Sequence, residues 1–488
     1  MAPLGRRLFH VQPIKEAKLK RARSKRKKTG GGDPVGKKIP GESGLRKLNP
    51  AAAGIDVGSR EHYVAVPADL DPTPIRKFSC LTAQLHEMAQ WLKGLGIVTV
   101  ALESTGVYWI PVADVLESYG LDVQLVNARH VKNVPGRKTD VQDCRWLQEL
   151  HSFGLLRGSF RPEAEVRVLR GYWRQRQRLV ESMSQCILLM HKEMEQMNLQ
   201  LGKVLSDVSG LSGMKIIRAI LAGERDGKAL AQLAHPGVRS ERSTIAQALI
   251  GTWKEEHLFA LKQHVALYDF NSGLVAECDH NIEECMKSFD RDTTLPPTAT
   301  DPEKPNKHRR SKNAPQFTIR DLLHQMTGVD LTRIDGISTM TAQTIIAEIG
   351  VDMRAFPSEK HFSSWLGLCP NRIITGGKVK KSATRKVVNR VATALRRAAS
   401  SLHRGKSWMG AFYRKMKARL GPPGAITAVA HKLACQVYRM LKYGGDYVDK
   451  GEKVFEERHS ERELRYIEKR AKAHGYDLSP SPLAKAVP

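Results

Sequence analysis

The chain has 488 residues, of which 41% are hydrophobic and 26% charged, a mixture that excludes wholesale disorder and predicts about three domains. Lysine and arginine exceed aspartate and glutamate by 29, so the expected partner is a polyanion. No apolar run in the sequence reaches the ~18–20 residues of a membrane helix, which excludes an integral membrane protein.

The first residues of the sequence and its cysteines indicate in which cellular compartment the protein is expected. The first 28 residues are basic and lack an apolar stretch, which is unlike a secretory signal. Seven scattered cysteines, an odd number, favour a reducing environment over a disulfide framework. We therefore expect a cytoplasmic, nucleoid-associated protein.

Residues 1–49 are predicted to form a flexible basic arm. Residues 1–48 hold 15 lysines and arginines against 3 acids, and glycines and a proline follow the densest run, KLKRARSKRKK. This composition is typical of a solvated, flexible segment. Either the arm binds phosphates or it has no function, and the density of its charge favours phosphate binding.

Residues 50–164 are predicted to form an α/β domain with a mixed or parallel sheet, because short apolar runs alternate with helical segments. The predicted strands cover residues 51–56, 63–67, 98–102 and 123–126, and the predicted helices cover 86–95 and 112–119.

Four acids of this domain stand where a metal site would need them. Asp56 and Glu103 come at the ends of predicted strands, and Asp140 and Asp143 lie three residues apart at a predicted helix start, on one helical face. This pattern is typical of RNase H-like nucleases, in which carboxylates hold Mg²⁺. The sugar-kinase and actin-type ATPase core also opens with an Asp and a Gly after a strand, but we find no further phosphate loops that would favour it.

Residues 165–290 are predicted to be helical. From Val166 to Leu201, apolar residues follow alternating steps of three and four for more than four heptads, with Arg176 as the polar exception. We favour a self-associating coiled coil over a core helix of a monomeric bundle. A second long helix, from Leu258 to Phe289, is expected to return along the first.

A polar linker is predicted over residues 291–317, and it separates the helices from a mostly α-helical C-terminal domain over 318–447. That domain starts with a turn, IDGI, that resembles a helix-hairpin-helix. From Lys360 to Gly445 there are 19 lysines and arginines and no acid, which favours nucleic-acid contact. Residues 448–488 are predicted to be a polar tail.

Taken together, these segments resemble the DEDD-type transposases of the insertion sequence 110 family, the bridge-RNA-guided recombinases. The matching segments around the four acids are GIDVGSREHYVAV, ALESTGVYWIP and LVNARHVKNVPGRKTDVQDCRWLQELHSFGLL. Those of the second half are IDGISTMTAQTIIAEIG and WLGLCPNRIITGGKVKKSATRKVVNRVATALRRAA. The resemblance covers about residues 50–447 and leaves the basic arm and the tail outside.

The resemblance implies a RuvC-like, RNase H-like N-terminal domain that binds Mg²⁺ or Mn²⁺ through Asp56, Glu103, Asp140 and Asp143. It implies assembly into a dimer or tetramer through the coiled coil. It also implies that the C-terminal domain supplies a hydroxyl nucleophile for DNA cutting and rejoining, and that an element-encoded RNA guides the reaction to target and donor DNA.

The sequence departs from the family at the nucleophile, where the family has a Ser before a Gly. Here the loop reads IITGGK, so Thr375 occupies that position, and its hydroxyl is a competent but more crowded nucleophile. Ser382 as the nucleophile, or an impaired copy, are the alternatives. We predict nucleic-acid contacts from a set of cations: Arg129, Lys132, Arg137, Lys138, Lys378, Lys380, Lys381, Arg385, Arg390, Arg396 and Arg397.

Two other functions are considered. A metal-dependent nuclease of the Holliday-junction type would use water as the nucleophile and would not depend on Thr375. A binding protein descended from a transposase would bind nucleic acid without breaking it, although the four intact acids argue against this.

Overall fold

The computed structural model describes residues 46–104, 106–127, 140–289, 313–385, 389–444 and 451–477. It divides into two compact units with the boundary between Ser159 and Phe160. The predicted arm up to residue 45, the predicted linker up to residue 312 and the four cations from Arg129 to Lys138 lie outside the described residues.

The first unit is built on a five-stranded mixed sheet. Its strands in chain order are β1 (Ala52–Val57), β2 (Glu61–Ala65), β3 (Ile75–Ser79), β4 (Thr99–Glu103) and β5 (Asp122–Val126). Their spatial order is β3-β2-β1-β4-β5. The first three strands pair antiparallel, whereas β4 and β5 run parallel to β1. This order and these directions confirm the predicted RNase H-like fold.

Helices cover the two faces of this sheet. On one face lie α1 (Thr82–Gly94) and α2 (Trp109–Ser118), and the buried residues of α1 recur at Leu85, Met88, Ala89 and Leu92. This helical spacing makes one apolar stripe that closes the core over the sheet. On the other face, α3 (Asp140–Ser152) packs against β1.

The second unit begins with two long helices that pair with each other. They are α4 (Ala164–Gln196) and α9 (Glu255–Ser288). A small core of short helices caps their far end: α5 (Leu201–Val204), α6 (Leu211–Leu221), α7 (Gly227–Gln232) and α8 (Arg242–Ala248). The heptad face of α4 thus packs against α9 of the same chain, which is the predicted return of the second long helix along the first. Self-association through these helices stays a prediction.

Arg176, the polar exception in the heptads, is buried on α4 because it has partners. Its guanidinium donates hydrogen bonds to both carboxylate oxygens of Asp279 on α9 and to the carbonyl of Asn313, the last at 3.0 Å. A buried charge is tolerated only when it is paired and hydrogen-bonded. The ion pair therefore fixes how α4 and α9 pack at this level.

The remainder of the second unit is mostly helical, as predicted. Its elements are α10 (Ile319–Thr327), a 3₁₀ turn (Leu331–Arg333), α11 (Thr339–Ile349), α12 (Glu359–Trp365), β6 (Ile373–Thr375), β7 (Lys378–Lys381), α13 (Arg390–Ser401), α14 (Trp408–Tyr443) and α15 (Gly451–Ala473). One core joins α10 to α14 with the base of the long pair. Gly421, with φ of 74°, and the two prolines after it break α14. Among the described residues, no helix is long and apolar enough to span a membrane.

Candidate active site

Asp56 and Glu103 stand at the carboxyl ends of two adjacent parallel strands. The register pairs Gly54 with Ala101 and Ile55 with Leu102, so Asp56 and Glu103 are the next residues along β1 and β4. Because side chains alternate along a strand, Asp56 shares a face with Gly54, and Glu103 shares a face with Ala101 and Thr99. Both carboxylates therefore belong to the face that α3 covers.

Contacts of α3 with the sheet establish which face this is. Thr99 Oγ1 lies 2.9 Å from His151 Nε2 on α3, and Gln148 Nε2 donates a 3.3 Å hydrogen bond to the carbonyl of Ala52. At Gly54 the helix backbone comes so close that a Cβ atom would lie 2.3 Å from the amide nitrogen of Gln148. Glycine in this strand is what lets α3 lie directly on β1.

Asp140 and Asp143 begin α3 on its sheet-facing side. The buried residues further along the helix are Cys144, Leu147, Gln148, His151 and Ser152. Steps of three and four run back from Leu147 and Cys144 to the two aspartates, so both acids continue the buried stripe into the first turn. Asp143 is half-buried and Asp140 exposed, as expected where a helix leaves the sheet.

The electrostatics of Cys144 show that the acids from the strand and from the helix converge. Burial is the main cause that raises the pKa of the Cys144 thiol to about 12, and the negative charges of Asp56 and Asp143 contribute smaller parts of this rise. A single thiol thus experiences both carboxylates, one on β1 and one on α3. Asp56, Glu103, Asp140 and Asp143 are called the acidic edge below.

The donor set of the acidic edge fits a divalent cation. Carboxylate oxygens are the ligands that hard ions such as Mg²⁺ and Mn²⁺ take, and the four acids supply them from two neighbouring strands and from the first turn of α3. Among the described residues, no group of three His, Cys, Asp or Glu side chains is close enough to surround one ion. Asp56, Glu103 and Asp143 each also take part in a polar or electrostatic interaction with other groups of the protein.

Thr375 lies at the tip of a two-stranded hairpin in the second unit. Strands β6 and β7 pair Thr375 with Lys378 across Gly376 and Gly377, whose φ angles are 56° and 74°. Two positive φ angles define a two-residue turn that glycine adopts without strain. All residues from 371 to 380 are exposed, so the hydroxyl is accessible. Residues 373–381 are called the Thr375 hairpin below.

Ser382, the alternative nucleophile, directly follows β7 and is also exposed. It lies near the base of the hairpin, where the amide of Asn371 donates to the carbonyl of Ala383 at 3.0 Å. The two hydroxyls therefore stand at opposite ends of the same strand pair.

The predicted nucleic-acid cations of the second unit fall into two groups. Arg385 donates to the carbonyl of Ser364, and Arg390 donates to Gln177 Oε1 at 2.9 Å and lies 3.9 Å from Glu348, so both brace the protein itself. The others on which the structure gives side chains are exposed or half-exposed: Lys378, Lys380, Arg396 and Arg397. The side chain of Lys381 lies outside the described residues.

Two features of the site did not come from the sequence. Tyr63 pairs with Asp56 across β2 and β1 and so shares the face of the acidic edge, which only the register reveals. The segment around Thr375, which is predicted from the sequence to be a loop, is a hairpin in the structure, and two β-rich runs separated by Gly-Gly are a signal for it.

Two protein-family models match the chain, one in each of the two compact units for most of its length. The first, the DEDD domain of IS110 elements, is described as a transposase and matches residues 53–198, which contain the sheet and the acidic edge. The second, described as a transposase of the IS116/IS110/IS902 family, matches residues 329–414, which contain the Thr375 hairpin. A comparison with curated proteins found no match.

These two domains identify the chain as a DNA transposase, an enzyme that recombines DNA, and the DEDD domain implies the use of divalent metal. Both matched domains carry the same family name. The chain belongs to the IS110 family of transposases.

Proposed function

We propose that this transposase exchanges DNA strands by phosphodiester transesterification, with divalent metal held at the acidic edge and the Thr375 hydroxyl as nucleophile. The observation that carries the proposal is the convergence of β1, β4 and the first turn of α3 on one face of the sheet. A hydroxyl nucleophile is supported by the exposed position of Thr375.

At the acidic edge, Asp56 and Glu103 would hold metal from the sheet, and Asp140 and Asp143 would hold it from the helix. Divalent metal bound there would neutralise charge that develops on the phosphate oxygens and on the leaving oxygen. The ion that we propose is Mg²⁺, with Mn²⁺ as a substitute, because both take carboxylate ligands. The packing of α3 on Gly54 would keep the two pairs of carboxylates in register.

In the first step, Thr375 Oγ attacks the phosphorus of a DNA phosphodiester. A bond forms between this oxygen and phosphorus, and the bond from phosphorus to the leaving sugar oxygen breaks. The hydroxyl loses its proton to solvent, and the leaving oxygen takes one up. In the second step, a hydroxyl of another DNA end attacks the phosphothreonine ester and restores the Thr375 hydroxyl. Each step exchanges one ester for another and needs no oxidant or energy source.

Lys378 is well placed to support this step, since it pairs directly with Thr375 across the hairpin. Residues directly opposite each other in an antiparallel pair share a face, so the ammonium and the hydroxyl belong to the same side. A cation beside the attacked phosphate stabilises the developing negative charge. A phosphate bound by Lys378 would thus lie near the Thr375 hydroxyl.

We further propose that the enzyme acts as an oligomer, guided by an RNA that the element encodes. The net charge of +29 and the acid-free stretch from Lys360 to Gly445 support binding of more than one nucleic-acid strand. Self-association along the long helices is supported by large apolar side chains that remain exposed on α9, namely Phe259, Leu267 and Phe270. An enzyme with these partners would act at the nucleoid.

The second candidate function is a metal-dependent nuclease that uses water. The acidic edge favours it as much as it favours transesterification, because an RNase H-like metal site alone can direct water at a phosphodiester. The two candidates differ in whether DNA becomes attached to the protein.

The test uses cells that carry the whole element with its flanking non-coding DNA. Cells are lysed in denaturant, DNA that stays attached to the protein is measured, and mass spectrometry locates the modified residue. We expect an adduct on Thr375 that Thr375→Ala abolishes and Thr375→Ser retains, whereas Ser382→Ala leaves it unchanged. An adduct on Ser382 would move the nucleophile, and excision without any adduct would support the water-using nuclease.

A further inference from the structure

The Thr375 hairpin has two chemically different faces. Pairing places Thr375 opposite Lys378 and Ile374 opposite Val379. Paired residues share a face and successive residues alternate, so the hydroxyl and the lysine occupy one face while Ile374 and Val379 occupy the other. One side of the hairpin therefore carries chemistry, and the other is apolar.

The apolar face is left in water. Ile374 is 59% exposed and Val379 56% exposed, and neither belongs to a hydrophobic core of the described residues. A two-stranded hairpin with no third strand or helix on it is marginally stable. Two β-branched apolar side chains on such a hairpin gain by entering an apolar environment, so a partner is expected to cover them.

Charge indicates what that partner is. The hairpin carries Lys378 and Lys380, Arg372 precedes it, and the surrounding stretch from residue 360 to 445 contains no acid. This surface is complementary to a polyanion and repels a basic protein face. In nucleic acid, the apolar surface that lies behind the phosphates is the stack of bases.

We propose that Ile374, with Val379 beside it, is a wedge that enters between two neighbouring bases next to the phosphodiester that Thr375 attacks. Side chains such as Ile partly unstack a base step and kink the duplex when they enter it. The Gly376–Gly377 turn carries no side chains, and, adjacent residues aside, no other part of the described structure lies within 4 Å of where a Cβ atom would stand at either glycine. The tip of the hairpin is therefore narrow enough to approach the DNA closely. The kink turns the phosphodiester toward the opposite, hydroxyl-bearing face. This role rests on the proposed function of Thr375.

The experiment measures unstacking without strand exchange. The plasmid carries the whole element and its flanking DNA, with Thr375→Ala in the element's own transposase gene so that no wild-type protein is made. Unstacked bases are mapped with permanganate for thymines and diethyl pyrocarbonate for purines. The test variant adds Ile374→Thr and Val379→Thr to the Thr375→Ala protein. Both substitutions keep a β-branched side chain but make it polar. Ile373→Thr is the matched control, since Ile373 is also exposed but lies beyond the irregularity in pairing between Ile373 and Ile374, outside the Ile374–Val379 pair.

We expect reactive bases at the exchange site with the Thr375→Ala protein and with the Ile373→Thr control. The Ile374→Thr/Val379→Thr protein is expected to lower this reactivity on the order of tenfold while still binding the plasmid. Ile374→Phe, a larger wedge, is expected to retain it. Unchanged reactivity in the double variant, or an equal loss with Ile373→Thr, would overturn the wedge. Loss of self-association in the double variant would instead assign the face to a second copy of the chain.

Failure of the wedge and failure of the proposed nucleophile give different results. If Thr375 is not the nucleophile, the Thr375→Ala protein still breaks DNA, and the breaks appear in the same mapping. If only the wedge is wrong, strands stay intact and base reactivity does not depend on Ile374.

Discussion

The acidic edge and the Thr375 hairpin present functional groups in opposite ways. At the acidic edge, Glu103 is only 7% exposed, and the strands and α3 hold the carboxylates through backbone packing at Gly54. On the hairpin, every residue from 371 to 380 is exposed, and the pairing of two short strands orders the chain, with the Asn371–Ala383 hydrogen bond at its base.

This difference suits the roles that we propose for the two groups. Metal ligands lose their function when they shift by a fraction of a bond length, and the proposed ligands are built on a sheet and a helix that pack tightly on each other. A nucleophile must reach a polymer, and a narrow exposed hairpin can approach DNA where a packed sheet cannot. Substitutions should therefore act through packing at the acidic edge and through turn geometry at the hairpin.

The largest effect is expected from removing a metal ligand. Asp56→Asn should slow DNA strand exchange by about 100-fold or more, because bound metal supplies several kcal/mol of charge stabilisation in the transition state. Excision of the element, measured by PCR across the rejoined flanks, checks this. Asp69→Asn, an exposed acid of the same unit, is the control. Full excision by Asp56→Asn would remove Asp56 from the metal site.

A smaller effect is expected from loosening the acidic edge without touching an acid. Gly54→Ala forces α3 away from β1, because the new Cβ would lie 2.3 Å from the backbone nitrogen of Gln148. Overpacking of this kind costs about 1–3 kcal/mol, and we expect excision to fall further than stability alone explains. Thermal unfolding and excision are measured together. Gly94→Ala, where a Cβ would meet nothing, is the control, and equal behaviour of the two variants would contradict the packing argument.

At the hairpin, the corresponding change is in the turn. Gly377→Ala places an L-residue at a φ of 74°, which costs roughly 1–2 kcal/mol in left-handed backbone. We expect several-fold less adduct on Thr375 with no change in the melting temperature of the protein, because no hydrophobic core of the described residues includes the hairpin. Gly376→Asn is the matched variant, since Asn-Gly fits the same turn. A lower melting temperature for Gly377→Ala would show that the hairpin supports the core.

The smallest effect is expected from pH. Burial lowers the pKa of His151 on α3, and Asp122 offsets this in part, so the folded protein keeps the ring neutral where the unfolded chain protonates it. As pH falls below about 6.5, the unfolded state binds more protons than the folded state, and the free energy of unfolding decreases.

Hydrogen exchange of α3 between pH 7.5 and 5.5 measures this effect. After correction for intrinsic exchange rates, we expect lower protection of α3 at low pH in the wild type and a weaker pH dependence in His151→Gln, with His403→Gln as control. The Thr375 hairpin contains no acid and no histidine, so its exchange, after correction for intrinsic rates, should not follow pH. Equal pH dependence in both regions would contradict the assignment to His151.

The sequence predicted the α/β unit well because its signals are local. Apolar runs predicted four of the five strands, and two acids three residues apart predicted the start of α3. The sequence did not predict β3, because Ile75–Ser79 is an edge strand in which apolar and polar residues alternate only weakly and Arg76 and Lys77 are both exposed. The break in α14 at Gly421 and the partner of Arg176 were also not predicted, the latter because Asp279 is about a hundred residues away.

By itself, the sequence determined the identities of the acids and the hydroxyl, the alternation of elements, the long amphipathic helices and the one-sided charge, since each is a property of residue type or short spacing. Tertiary structure alone decided that Asp56 and Glu103 are neighbours, that Tyr63 faces the same side and that Ile374 and Val379 stay uncovered. Those properties depend on strand register and on which surfaces meet, and register is fixed by contacts between residues far apart in the chain.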